Sequence, residues 1–290
     1  GMSTLSGNMA DPLIVHNNGL HLAVIFLVIL GGIGFPILFN YLSLLRHQAA
    51  NGIRLLFRQQ THYIHTPHII NLHTFVVVTA TGCLLIGGFL LFLLFEYHNS
   101  LQGLPWSEKL TQAFFGAATP RSAGFNATDM TALRPPTLIL TWMLMLIGAG
   151  PVSTGSGLKV TTVTIALLAI GHVLTGKKEL TIHGRSIAPE LVLCAFATLM
   201  LTLGWLLVVF VGLSCTESGV PLFNLFFEAT SALTTAGLSM DVTPTLSTPG
   251  KALIILTMLI GRIGVLTFFV GFAPQAKEKH YRYPQEQLFT

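Results

Sequence analysis

Apolar residues run along this chain in long stretches separated by short polar or glycine-rich intervals. After a polar, turn-rich opening (residues 1–18), the pattern predicts an apolar helix over about residues 19–45. Further apolar helices are predicted over about 70–95, 137–147, 160–174, 189–213 and 252–272. Several of these runs approach or exceed the roughly 20 residues that cross a bilayer as a helix. Two other segments, about 108–118 and 220–231, are too short to span. Ser107 is placed to cap the first by accepting a backbone N–H, and Glu108 suits its positive end. Between 147 and 160 the helical pattern breaks at Gly148-Ala149-Gly150-Pro151-Val152-Ser153-Thr154-Gly155-Ser156-Gly157. Glycine and proline at that density do not hold a regular helix.

The pattern repeats. A polar loop centred on Gly124 leads, 24 residues on, to Met145-Leu146-Ile147-Gly148. A loop centred on Gly237 leads, at the same distance, to Met258-Leu259-Ile260-Gly261. The same shift of 113 residues pairs Phe114 with Phe227, Ala123 with Ala236, Pro136 with Pro249 and Thr154 with Thr267. One unit, apolar helix then polar loop then apolar helix, therefore occurs at least twice. Gly31-Gly32-Ile33-Gly34 reads against Gly261-Arg262-Ile263-Gly264, which makes the helix over 19–45 the closing helix of an earlier repeat. The chain is thus expected to begin inside a repeat. Gly7, 24 residues before Gly31, is expected to be the remnant of another loop or to lie just past it. The expected divisions are 1–47, the end of an incomplete second repeat; 66–183, a third repeat with a broken closing helix; and 184–290, a fourth repeat with a cytoplasmic tail.

Composition fixes the class. Hydrophobic residues make up 52% and charged residues 9% of the 290, with a mean hydropathy of +0.70; a soluble domain carries about 25% charged residues. The chain reads as an all-α polytopic membrane protein. No basic region followed by a short apolar core opens it, so no signal peptide is expected. Cys83, Cys194 and Cys215 lack metal or redox spacing; Cys83 and Cys194, in apolar runs, are expected as buried fillers. Nine of the fifteen Lys and Arg residues fall in two connectors and the tail: Arg46, Arg54, Arg58, Lys177, Lys178, Arg185, Lys277, Lys279 and Arg282. The positive-inside bias puts these in the cytoplasm. The two glycine loops then enter from outside, with Asp11, Glu96, Glu108, Asp129, Glu217, Glu228 and Asp241 on their side. An acidic mouth raises the local cation concentration, although each carboxylate is equally well read as an ordinary solvated loop residue.

Loops inside a membrane persist only when buried in protein or lining water. Here a half-helix precedes each one, aiming its partially negative carbonyl end at the bilayer centre. Loop carbonyls directed at one axis replace the hydration water of a cation, and Gly124 and Gly237 permit the positive φ such turns use. An ion-conducting role follows. Arg262 is the sharpest single residue, because an intramembrane charge is costly and functional by default; a snorkelling or carbonyl-paired structural arginine is the alternative. Lys159 is equally well structural. The run His62-Tyr63-Ile64-His65-Thr66-Pro67-His68 suggests a metal site, but Pro67 disrupts any helical face. A membrane enzyme would need a catalytic pair in the spans, and they offer no Asp pair, His-Asp arrangement or zinc motif. A non-conducting fragment is the more serious rival.

The loop 119–126, the Thr235-Ala236-Gly237-Leu238-Ser239 loop, the Pro-Val-Ser-Thr-Gly-Ser-Gly-Leu-Lys run ending at Lys159 and Gly261-Arg262-Ile263-Gly264 together resemble the Trk/Ktr/HKT potassium transporters. The resemblance covers nearly the whole chain. It implies repeated helix–pore half-helix–filter loop–helix units, four of them around one pore, as in potassium-channel-like transporters. Ser122, Ala123, Gly124 and Phe125, with Thr235, Ala236, Gly237 and Leu238, are then two of four filter strands holding potassium. Gly148, Gly150, Gly155, Ser156, Gly157 and Lys159 belong to an intramembrane gating loop, and Arg262 is a pore-facing arginine beneath the filter. Ser122 stands where the family often has Thr, and Asp241 where a small residue is common. The resemblance also implies potassium uptake without an organic cofactor, a homodimer, a cytosolic nucleotide-binding regulatory subunit, no nucleic-acid partner, and a bacterial inner membrane. A sodium-permeable member of the family is the alternative.

Overall fold

The computed structural model describes residues 8–12, 14–56, 72–176, 181–182 and 185–273. It is almost entirely helical. In chain order the helices are α1 (Asn18–Ile33), α2 (Phe35–Leu56), α3 (Leu72–Glu96), α4 (Trp106–Ala118), α5 (Pro135–Leu146), α6 (Val160–Thr175), α7 (Pro189–Thr216), α8 (Leu222–Thr234), α9 (Thr248–Ile263) and α10 (Val265–Phe272). One antiparallel pair of two-residue strands, β1 (Thr181–Ile182) and β2 (Arg185–Ser186), lies between α6 and α7.

α3 and α7 are each long and apolar enough to cross a membrane alone. The stretches expected as single helices over 19–45 and 252–272 are instead broken pairs. α1 and α2 meet at a bend of 100°, α9 and α10 at 92°. Both breaks fall on a glycine in nearly one conformation, Gly34 at φ 99°, ψ 142° and Gly264 at φ 100°, ψ 126°. A positive φ ends a helix, and glycine takes it without a Cβ penalty.

In each described repeat the half-helix is gripped between its two neighbours. α4 packs on α3 so closely that a methyl group on Gly116 would lie 2.5 Å from the Phe92 ring. α8 packs on α9, where a methyl group on Gly261 would lie 1.9 Å from the Leu233 carbonyl oxygen. Lipid is as apolar as leucine, so such close backbone approach and interhelical hydrogen bonds, rather than burial, hold helices together in a membrane. Trp142 Nε1 supplies one such bond, donating to Thr230 Oγ1 at 2.8 Å and joining α5 to α8. Outward leucines such as Leu94, Leu193 and Leu207 are exposed, forming a surface suited to lipid.

Three local expectations are corrected. Pro105, not Ser107, stands at the N-cap of α4, and no side chain caps that end; the helix begins at Trp106, so Ser107 lies inside its first turn. Cys83 and Cys194 are exposed rather than buried, because each sits on the outward face of its helix. The basic connector and tail residues Arg58, Lys177, Lys178, Lys277, Lys279 and Arg282, the run His62–His68 and Gly7 lie outside the described residues, as do the side chains of Arg54 and Arg185.

Candidate functional site

Each half-helix runs into its glycine loop through a tightened last turn. After α4 a 3-10 turn, Thr119–Arg121, carries the chain over, and the amides of Ser122, Ala123 and Gly124 all donate to the Thr119 carbonyl at 3.1–3.4 Å. After α8, Thr235 enters the left-handed region at φ 51°, and the Ala236 amide donates to the Ser231 carbonyl at 3.0 Å. Gly124 and Gly237 follow at φ 69° and 85°. The two loops touch backbone to backbone: a methyl group on Gly124 would lie 2.4 Å from the Ala236 carbonyl oxygen. Ser122, Ala123, Gly124 and Phe125 are thereby brought against Thr235, Ala236, Gly237 and Leu238.

The carbonyls of Ser122, Ala123, Gly124, Thr235, Ala236 and Gly237 accept no hydrogen bond among the described residues. Gly124 and Ala236 are themselves buried. Carbonyls free of protein donors in two touching loops can serve as ligands for a dehydrated monovalent cation. On one side the loops open into a cavity of about 420 Å³, lined by Asn126, Asp129, Ser239 and Asp241 as well as both glycines.

On another side lies the broken segment. Its ends are zipped together: the Gly148 amide donates to the Leu158 carbonyl at 3.0 Å and the Val160 amide to the Ala149 carbonyl at 3.2 Å. Its middle is docked on the α1–α2 bend. A helix leaves its last four carbonyls without an intrahelical donor. Here the Gly150 amide reaches the Gly32 carbonyl at 2.8 Å and the Thr154 amide the Gly31 carbonyl at 3.2 Å. Phe35, beyond the bend, donates in return to the Val152 carbonyl at 3.4 Å. The orphan groups of one broken helix thus satisfy those of another. Gly155 lies against the 3-10 turn at Thr119–Arg121, where a methyl group would meet the Arg121 carbonyl oxygen at 2.9 Å. Gly157 packs on Thr234 at the end of α8. Ser156 is buried in the same layer.

Three cationic side chains hold this segment by its carbonyls. Arg262 Nη1 donates to the Thr154 carbonyl at 2.6 Å and Lys159 Nζ to the Gly155 carbonyl at 2.6 Å. The third is Arg121, whose Nε and Nη2 donate to the Gly148 carbonyl at 3.3 and 3.2 Å. Arg121 was not singled out from the sequence. It sits inside the loop motif at 119–126, and only its burial reveals it.

The acids divide into two groups. Asp129 and Asp241 line the cavity beside the loops. Glu96, Glu217 and Glu228, expected at an aqueous mouth, are instead engaged within the protein. Glu96 is fully buried at the end of α3 and accepts from the Arg134 amide at 3.0 Å and Thr137 Oγ1 at 2.5 Å, anchoring the start of α5. Glu217, after α7, accepts from the Ser247 amide at 3.0 Å and from Ser247 Oγ at 2.5 Å, anchoring the start of α9. The reason is the same in both: a carboxylate satisfies the free N–H groups and positive end of the next helix. Glu228 is buried in α8 and accepts from Ser239 Oγ at 2.9 Å and from Thr243 Oγ1, bracing the segment that leaves the second loop. Glu108 pairs with His16 at 3.0 Å.

A family model described as TrkH, a cation transport protein, matches residues 10–281. The chain is 38% identical over 291 aligned residues to "Ktr system potassium uptake protein B" of Bacillus subtilis (strain 168), an alignment covering 99% of this chain and 58% of that protein. It is 34% identical to "Potassium/sodium uptake protein NtpJ" of Enterococcus hirae, covering 97% of this chain and 59% of that protein. It therefore spans less than three-fifths of the length of these relatives. The fold is similar to the crystal structure of the potassium transporter TrkH from Vibrio parahaemolyticus. There the TM-score is 0.69 at 19% identity, over 94% of this chain and 55% of the other.

Proposed function

The chain belongs to the TrkH family of cation transport proteins, and from that premise we propose that it contributes a pore for potassium uptake across a bacterial inner membrane. The unpaired carbonyls of the two touching glycine loops support this reading most directly. In it, residues 122–125 and 235–238 are two parts of a ring completed by equivalent loops. The cation sheds water against their carbonyls after concentrating in the cavity beside Asp129 and Asp241. Residues 148–157 close the path beneath the ring, and Arg262 and Lys159 hold them closed by their carbonyls. The divisions 1–47, 66–183 and 184–290 are then parts of successive repeats. Relatives named as proteins of a Ktr system favour a partner that regulates the pore, which we take to be a cytosolic nucleotide-binding subunit, with the pore protein as a homodimer.

A second reading, permeation of sodium as well as potassium, is favoured by the relative named for both ions. Uptake assays decide between them. Cells lacking their own potassium uptake should grow at limiting potassium when they express the native protein. Reconstituted protein should take up potassium in preference to sodium. Equal uptake of both ions supports the second reading, and no uptake of either by folded protein rejects both.

A further inference from the structure

The filter turn and the broken segment are one packed unit, and Arg121 is the side chain that joins them. Its backbone belongs to the 3-10 turn feeding Gly124. Its guanidinium reaches the opposite way, to the carbonyl of Gly148, and Nη2 also lies 3.4 Å from Thr81 Oγ1 on α3. Arg121 is 6% exposed. Among the described residues no carboxylate pairs with it. A charge buried without a counter-ion costs several kcal/mol, and a neutral side chain would fill the same space at less cost. A guanidinium offers something a neutral group does not. Its fixed planar fork of five donors reaches several acceptors in one plane.

What it binds is the pivot of the segment. Gly148 lies two residues beyond the end of α5, and its amide already pairs with Leu158 across the neck of the loop. Its carbonyl is the group that must turn if residues 150–157 swing about that neck. With Arg121 on that carbonyl, a swing pulls the filter turn, and a distorted filter turn loosens the neck. The contact at Gly155 reinforces the link, because a methyl group there would also meet the Ser122 side chain at 3.2 Å.

We propose that Arg121 is a positioning residue that couples the geometry of the glycine loop at 122–125 to the closed position of residues 148–157, so that ion preference and flux change together. This rests on the transport reading above and adds a regulatory link within it. The ions themselves do not touch the Arg121 side chain; it acts through Gly148 and the turn.

The test compares the native protein with R121Q, R121K and T81V, each with and without deletion of residues 152–157, in liposomes. Two quantities are read: the ratio of potassium to sodium uptake, which does not depend on how much protein folds, and flux per folded molecule. In the protein with its loop intact, R121Q should lower the ratio by at least about fivefold, within the usual range of coupling between sites, and should raise flux. R121K keeps the charge but not the fork and should lower the ratio less; T81V removes one acceptor and should lower it least. Deleting 152–157 should itself lower the ratio when Arg121 is present, and should leave it unchanged in R121Q. If R121Q does not fold, R121K and T81V decide the matter by the same two readings. The proposal is overturned if the folded variants keep the parental ratio, or if the deletion shifts the ratio equally with and without Arg121. Failure of the transport reading is distinct, because the parental protein would then take up no potassium at all. Failure of the gating reading is distinct as well, because the deletion alone would then leave flux unchanged.

Discussion

At the scale of single residues, the two loop glycines, Gly124 and Gly237, are alike in conformation but not in surroundings, and this separates their expected phenotypes. A side chain at Gly124 meets the Ala236 carbonyl oxygen at 2.4 Å in addition to its left-handed φ; at Gly237 the nearest atom is the Gly124 Cα at 3.4 Å. A left-handed non-glycine residue costs about 1–2 kcal/mol, strain that the turn relieves by re-aiming its carbonyls, and carbonyl geometry sets ion preference. Gly237→Ser should therefore leave a folded transporter with a lower preference for potassium over sodium. Gly124→Ala should abolish uptake, since it also pushes the two loops apart. Parallel uptake of both ions by the two variants checks this, and an unchanged preference in Gly237→Ser contradicts it. The two glycines were legible in the sequence because the repeat isolates them. Arg121 was not, because nothing in its neighbours signals burial.

Glu217 carries a prediction of a different kind. The Ser247 hydroxyl, with the Ser247 amide, holds its carboxyl below the usual carboxylate range. A carboxylate whose folded pKa is depressed contributes stability that is present above its unfolded pKa, about 4.3, and is lost as pH falls through the folded value. Thermal stability in detergent should decline from about pH 4 downward, and Glu217→Gln should flatten that part of the decline. An unaltered acid limb in Glu217→Gln would contradict the assignment of Glu217 as an anchor for α9.

At the scale of elements, the helices were readable from their apolar runs, and their breaks were only partly so. The ten-residue interruption over 148–157 announces itself by glycine and proline density. The bends at Gly34 and Gly264 do not, because glycine alone is no signal: α3 contains Gly82, Gly87 and Gly88 and remains helical throughout. What distinguishes Gly34 is its neighbour, a methyl group there lying 2.5 Å from the Pro151 carbonyl oxygen. The loop that docks on this break comes from 117 residues away in sequence, while Gly264 bends with only Thr267 near it. The same docking governs the expected behaviour of the loop. Each hydrogen bond from a charged donor contributes about 1.5–3 kcal/mol, and Arg262 supplies one to Thr154. Arg262→Ala and deletion of residues 152–157 should both raise potassium flux per folded molecule. If both variants fold and neither conducts faster than the parent, residues 148–157 do not obstruct the path.

At the scale of the whole molecule, the internal repeat orders everything else. Its two described units use the same parts: a long helix, a half-helix, a glycine loop and a closing helix that breaks. They also share a device invisible in the aligned sequence. Glu96 and Glu217 clasp Arg134 and Ser247, positions that match under the 113-residue shift, although the two glutamates themselves do not. The clasps and close helix contacts make a rigid frame, and that frame holds unpaired carbonyls in the two loops. A cation that binds these carbonyls only when the loops are folded stabilises the folded state. The gain follows RT ln(1 + [L]/Kd), about 2.7 kcal/mol when the ion is a hundredfold above its Kd. Purified protein should therefore melt at a higher temperature in potassium than in an equal concentration of choline, with sodium intermediate or without effect. Gly124→Ala, which disturbs the carbonyls at their point of contact, should remove the potassium-dependent shift. Arg262→Ala, which lies beyond the loops, should retain it. Equal melting temperatures in potassium and choline would mean that these carbonyls do not bind the ion, whatever their geometry.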